Sequence, residues 1–116
     1  MNKDNTVYIR HIIDAIKRLE EYLKGIDYES FLNSNLLQAG VIRELEIIGE
    51  ASKKLGNDFK KQYPDIPWKK IAGMRDKLIH DYFGVDLDAV WETVERDIPE
   101  LRNNLKQIIG NENQMG

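Results

Sequence analysis

Apolar residues recur along this chain at intervals of three and four, the spacing that lines one face of an α-helix. Between Val7 and Leu23 the positions are Ile9, Ile12, Ile13, Ile16, Leu19 and Leu23, and Gly25 supplies a stop. "DYESFLNSN" reads as a turn or a single helical turn. Asn33 or Ser34 then caps a second long helix to about Leu55, with Leu37, Val41, Leu45, Ile48, Ala51 and Leu55 on its apolar face and Gly56 as its end. Gly40 and Gly49 lie inside that helix, where each costs about 1 kcal/mol relative to alanine. Two such residues predict close approach of another helix. "NDFKKQY" predicts a short helix ending before Pro64. Asp65 is placed to cap a helix that takes Pro67 in its first turn, where the missing N–H does no harm. The pattern carries that helix through "PWKKIAGMRDKLIHDYF" to near Gly84. Asp86 caps the last region, whose stripe is Leu87, Trp91, Val94, Ile98, Leu101, Leu105 and Ile108. The stripe passes through Pro99, which predicts a kink or a restart at Asp97. There is no internal repeat and no strand signal strong enough to use. Four main helices with short connections predict an all-α, antiparallel four-helix-type bundle with short extra helices. Residues 1–110 form one domain in this reading, with a disordered tail over 111–116.

Composition agrees with a single small domain. The chain has 116 residues, 41% of them apolar and 32% charged, which suffices for one core under a well-solvated surface. With no cysteine, disulfides and thiolate metal sites are excluded. The N-terminal stretch "MNKDNTVYIRHIID" has no long uncharged apolar run, and no segment approaches the roughly 18 apolar residues of a membrane span. A soluble, cytoplasmic protein with no membrane contact is expected. The net charge of −3 argues against a general nucleic-acid binder. Its distribution is uneven, however. Residues 53–77 hold eight basic side chains against three acidic ones, a local +5 that leaves −8 for the rest. Such a segment either steers a polyanion, with Lys69, Lys70 and Lys77 nearest the motif below, or is simply a solvated lysine-rich surface.

The stretch "RDKLIHDYF", residues 75–83, carries the candidate chemistry. On a helical wheel Ile71, Met74, Leu78 and Tyr82 share the core face, while His80 and Asp76 fall opposite, four residues apart, where their side chains can meet. A carboxylate beside an imidazole fixes its tautomer and favours its protonated form. Arg75 flanks the apolar stripe and can reach an acid on a neighbouring helix, with Glu46 and Glu50 as candidates. The bland alternative is a surface histidine paired with an aspartate and a core tyrosine with its hydroxyl at the rim. His11, the second histidine, sits in the first helix with no motif around it. Two isolated histidines without HExxH-type spacing give no metal site.

Arg75, His80 and Tyr82 spell R-x4-H-x-Y, which resembles the signature of the HEPN superfamily and its HepT-like toxin branch, with the polar Asp76 after the arginine also in pattern. "VYIRHIIDAIKRLEEYLKG", "VIRELEIIGEASKKL" and "YPDIPWKKIAGMRDKLIHDYFGVDLDAVWETVERDIPELRNNL" resemble the same branch, so the likeness covers about residues 5–109. It implies an all-helical, metal-independent endoribonuclease that acts as a homodimer, needs no cofactor, and has Arg75 and His80 as catalytic residues. It also implies the toxin half of a type VII-like toxin–antitoxin pair. The partner it implies is a minimal nucleotidyltransferase that adds adenylate to the motif tyrosine, here Tyr82, and silences the toxin.

The residues suit that chemistry. Metal-free RNA cleavage uses the substrate's 2′-hydroxyl as nucleophile, with a base, an acid and a cation for the charged phosphorane. Guanidinium matches phosphate oxygens in a bidentate way, and imidazole titrates near neutrality. A two-fold dimer doubles the single His80 and Arg75 without new sequence. The alternatives are a non-catalytic HEPN binding module that partners a nucleotidyltransferase, and a structural dimer without ligand. An intact Arg75, His80 and Tyr82 favours the enzyme, because a scaffold has no need of them.

Overall fold

The computed structural model describes residues 3–74, 76, 79–80 and 84–115. The side chains of Lys3, Ile79, His80 and residues 112–115 lie outside that description. The fold is an all-α antiparallel bundle. Its elements are α1 (Lys3–Leu23), α2 (Tyr28–Leu32), α3 (Asn35–Lys54), α4 (Asn57–Gln62), α5 (Trp68–Ala72), a two-stranded ladder of β1 (Ile79–His80) and β2 (Gly84–Val85), α6 (Leu87–Glu92), a π-helical turn (Thr93–Asp97) and α7 (Ile98–Met115). The core is one continuous cluster. Ile9, Ile12, Ile16 and Leu19 of α1 meet Val41, Leu45 and Ile48 of α3, and Leu101, Leu105 and Ile108 close it from α7.

Local chemistry sets most of the helix ends. Gly25 ends α1 with φ +74°, a left-handed conformation open to glycine at no steric cost. The Asp27 carboxylate accepts from the Ser30 N–H at 2.8 Å, and this bond holds its pKa below the ordinary aspartate value. Ser34 Oγ accepts from the Leu37 N–H, and Asp86 caps α6 by accepting from the Ala89 N–H. Two expected caps are corrected. Gly56 has φ −65° and opens α4 instead of closing α3 in a left-handed turn. Asp65 is not the cap of α5, because the chain enters that helix with Pro67 itself at the N-cap position.

Among the described residues Glu44 is the buried charged side chain of the main helix pair, and two bonds tie it to α1. Glu44 is 4% exposed. It accepts from Arg18 Nε at 2.8 Å and from the Tyr22 hydroxyl at 3.1 Å, both on α1. The bond to Glu44 raises the pKa of each donor. These bonds fix the register of α1 on α3, since a buried carboxylate without partners is costly.

The two interior glycines of α3 prove to be different contacts. A Cβ on Gly40 would meet the ring edge of Tyr22 at 3.3 Å, whereas one on Gly49 would meet the Ala72 carbonyl oxygen at 3.2 Å. A ring can shift; a backbone carbonyl at the end of a helix cannot without moving the chain. Gly40→Ala should therefore be close to neutral, its gain in helix propensity of about 1 kcal/mol offset by displacing Tyr22. Gly49→Ala should be clearly the less stable of the two in urea unfolding, and the reverse order would show that α5 yields.

The C-terminal stripe is broken as Pro99 requires, but by a π turn. The Ile98 N–H reaches back five residues to the Thr93 carbonyl. The wider turn relieves the clash between the Pro99 ring and the preceding turn. Its extra residue shifts the phase: before the turn the buried positions are Val90 and Thr93, one earlier than the unbroken stripe predicts, while Trp91 and Val94 are half-buried. α7 runs on to Met115, through residues for which the composition predicts no order.

Candidate active site

The longest departure from expectation falls on the motif. A helix from Pro67 to near Gly84 is not what forms. α5 stops at Ala72 with Gly73 as its C-cap, Met74 and Asp76 are again helical, and Ile79 and His80 are in extended backbone. Ile79 pairs with Val85 and His80 with Gly84 in an antiparallel ladder. β-branched residues at both positions of the Ile79–Val85 pair favour extended backbone, and Gly84 turns at φ +79°. The helical four-residue relation expected between Asp76 and His80 therefore does not hold. Of the wheel's core face, Ile71 and Met74 are buried as expected. Arg75, Lys77, Leu78 and Tyr82 lie outside the described residues, and so does the His80 side chain.

The described surroundings of Asp76 are well defined. α1, α3 and the segment after α5 enclose an open cleft of about 600 Å³, within the range of small-molecule sites. Tyr8 and His11 line it from α1, and Arg43, Glu46, Glu50, Lys53 and Lys54 from α3. Ala72 and Asp76 complete the wall. The close contact of Gly49 with the Ala72 carbonyl sets α5 against α3 and carries the chain to the mouth of this cleft just before Arg75. Both acids named as supports for Arg75, Glu46 and Glu50, thus share the cleft with Asp76, the next residue after Arg75. Each also faces a basic residue one turn away: Arg43 Nη1 lies 3.8 Å from Glu46, and Lys53 Nζ 3.5 Å from Glu50. Exposed pairs of this kind are worth little and are easily exchanged.

Two of the steering lysines, Lys69 and Lys70, are elsewhere, and Lys77 lies outside the described residues. Lys70 points to the C-terminal side of the bundle, its Nζ 3.3 Å from the Asp97 carboxylate, and Lys69 is exposed on α5 without lining the cleft. Among the described residues the cations at the cleft are Arg43, Lys53 and Lys54. Sequence reasoning counted the two lysines in the basic segment but missed Arg43, Tyr8 and His11. Tyr8 and His11 are three residues apart on one helix face, which was the only local signal they gave. Their rings meet edge to face with centroids 6.2 Å apart, and the Lys54 ammonium stands 5.9 Å from the centre of the Tyr8 ring. Among the described residues no three His, Asp or Glu side chains gather closely enough to hold a metal ion, and no helix is long and apolar enough to cross a membrane.

Comparison with known proteins places this sequence beside a family of ribonucleases. A family model described as Ribonuclease HepT-like matches residues 12–108, which include the motif and most of the cleft. The chain is 48% identical to the probable ribonuclease HepT of Thermococcus cleftensis, over 93% of this chain and 98% of that one. Two further relatives carry the name putative RNase. One, from Caldanaerobacter subterraneus subsp. tengcongensis, is 47% identical over 90% of this chain and 94% of its own. The other, from Methanocaldococcus jannaschii, joins such an RNase to a gamma-glutamylcyclotransferase. It is 48% identical, and this chain spans about half its length. No solved structure matches the chain. On the family match and these identities, the chain belongs to the HepT-like ribonuclease family of the HEPN superfamily.

Proposed function

We propose that this protein is a metal-independent endoribonuclease, the toxin of a two-component system, and that a minimal nucleotidyltransferase silences it by adenylylating Tyr82. The observation that carries the reading is the family match across residues 12–108, which takes in Arg75, His80 and Tyr82. The open cleft, with Glu46, Glu50 and Asp76 beside the motif segment, supports it. The imidazole of one His80 takes the proton of a ribose 2′-hydroxyl, and the freed oxygen attacks the adjacent phosphorus. Arg75 neutralises the charge that builds on the phosphoryl oxygens. The P–O5′ bond breaks and the leaving oxygen takes a proton from a second acid, giving a 2′,3′-cyclic phosphate and a 5′-hydroxyl. A homodimer with both motifs near its two-fold axis supplies that acid as a second His80. Adenylate on the Tyr82 oxygen adds bulk and negative charge beside this machinery, competes for Arg75 and repels the RNA backbone.

Co-expression tests the reading. The chain alone should arrest growth, and the chain with its transferase should not. The intact silenced protein should carry an adenylate-sized mass increment that is absent from Tyr82→Phe, and that variant should stay toxic beside the transferase. Silencing of wild type with no change in mass would mean that the transferase acts by plain binding. Full ribonuclease activity from a monomer at micromolar concentration would refute the two-fold site.

A further inference from the structure

Three groups at the α1 side of the cleft have no part in the cleavage chemistry. Tyr8 is half-buried, so its ring is held in place, and His11 stands edge-on to it at 76°. Lys54 is exposed, and its ammonium lies 5.9 Å from the Tyr8 ring centre, near the outer limit of a cation–π contact. A long, solvated side chain at that distance is weakly held and can be displaced. The ring it covers is an aromatic face at the lip of a cleft that also presents Arg43 and Lys53. A fixed aromatic face beside mobile cations is the arrangement by which proteins hold single-stranded nucleic acid, with a base on the ring and the phosphate on the cations. A double helix would not meet it, since its bases are stacked on one another and unavailable to the ring.

We infer that Tyr8, His11 and Lys54 form a stacking subsite for one unpaired base of a single-stranded RNA, flanking the phosphate that is cut. The inference rests on the ribonuclease reading for the identity of the ligand. On binding, the base displaces Lys54 from the Tyr8 face. The released ammonium moves to the neighbouring phosphate, and His11 remains as the side wall. Binding through a π-face tolerates any base, so this subsite contributes affinity and confines the enzyme to unpaired segments without selecting a sequence. Arg43 and Lys53 are themselves exposed, and their surface ion pairs with the half-buried Glu46 and the exposed Glu50 open at little cost to meet further phosphates.

The test uses the full chain and a short single-stranded RNA with every 2′-hydroxyl methylated, so that binding is measured without cleavage. Fluorescence anisotropy at fixed salt reads the affinity. Tyr8→Leu, which keeps bulk but not the π-face, should weaken binding at least about fivefold, and Tyr8→Phe should recover most of that loss. Lys54→Ala should weaken binding and reduce the slope of log affinity against log salt by about 0.7. A blunt duplex of the same sequence should bind more weakly than the single strand to wild type and show no dependence on Tyr8. Circular dichroism and a thermal melt identify any variant that has lost its fold, and Lys54→Ala, on the surface, stands in for it. Unchanged single-strand affinity in both folded Tyr8→Leu and Lys54→Ala overturns the subsite. With unmodified RNA the two readings separate. Cleavage by wild type with a KM insensitive to Tyr8 leaves the ribonuclease standing and removes the subsite. Tyr8-dependent binding with no cleavage does the opposite.

Discussion

His80→Ala is expected to lower RNA cleavage by a factor of about 10² to 10⁴, the usual contribution of a positioned acid or base, and with it any toxicity. Arg75→Ala should cost a similar factor, since removing one donor from a developing oxyanion costs about 10² to 10³. The helical spectrum should stay that of wild type in both. Truncating the His80 side chain leaves the backbone pairing of His80 with Gly84 in place, because that pairing uses main-chain groups alone. A chelator should not inhibit wild type. Cleavage at the wild-type rate by His80→Ala would remove the mechanism, and inhibition by chelator would remove its metal independence.

The second large effect is on stability. Ile48 is wholly buried where α3 faces α1. Ile48→Ala removes three carbons from that seam and should cost about 2 to 5 kcal/mol. The whole domain has on the order of 5 to 15 kcal/mol. A fall in Tm on the order of 10 °C or more follows. Leu36→Ala makes the contrast: the same helix, but a side chain 85% exposed, where the change should stay within about 0.5 kcal/mol. Equal shifts in calorimetry would mean that Leu36 is covered in solution.

These cases show where the sequence was informative. The faces of α1 and α3 were legible because each is long enough for a three-and-four spacing to repeat several times, and most repeats are buried, with Ile13, Leu23 and Leu37 half-buried at the edge of the stripe. Caps built from a side chain onto its own helix, Ser34 and Asp86, were legible because both partners lie within three residues. Asp65 failed because Pro67 took the position first, a choice fixed by backbone and not by side-chain preference. The motif segment failed for a different reason. From Ile71 to Tyr82 an apolar spacing that suits a helix also contains Ile79, which suits a strand, and the partner that decides, Val85, lies beyond that window. The cleft was out of reach altogether, since Tyr8, Arg43 and Asp76 are separated by more than thirty residues at each step and only the packing of α1 and α5 on α3 joins them.

The π turn at Thr93–Asp97 bears on how this fold tolerates changes in length. A residue deleted from an ordinary helix rotates everything beyond it by about 100° and turns its buried face to water. Here the buried positions Thr93 and Ile98 are five apart, so deletion of one residue between them leaves four, the spacing of an ordinary helix. The phase of both flanking helices survives. What does not survive is the room for Pro99, whose ring then meets a regular turn at a cost of about 3 kcal/mol. The surplus residue and the proline are thus one heritable unit. Chains that lose the first should be found without the second, and an alignment gap at this point marks a change of helix type with no change in the core.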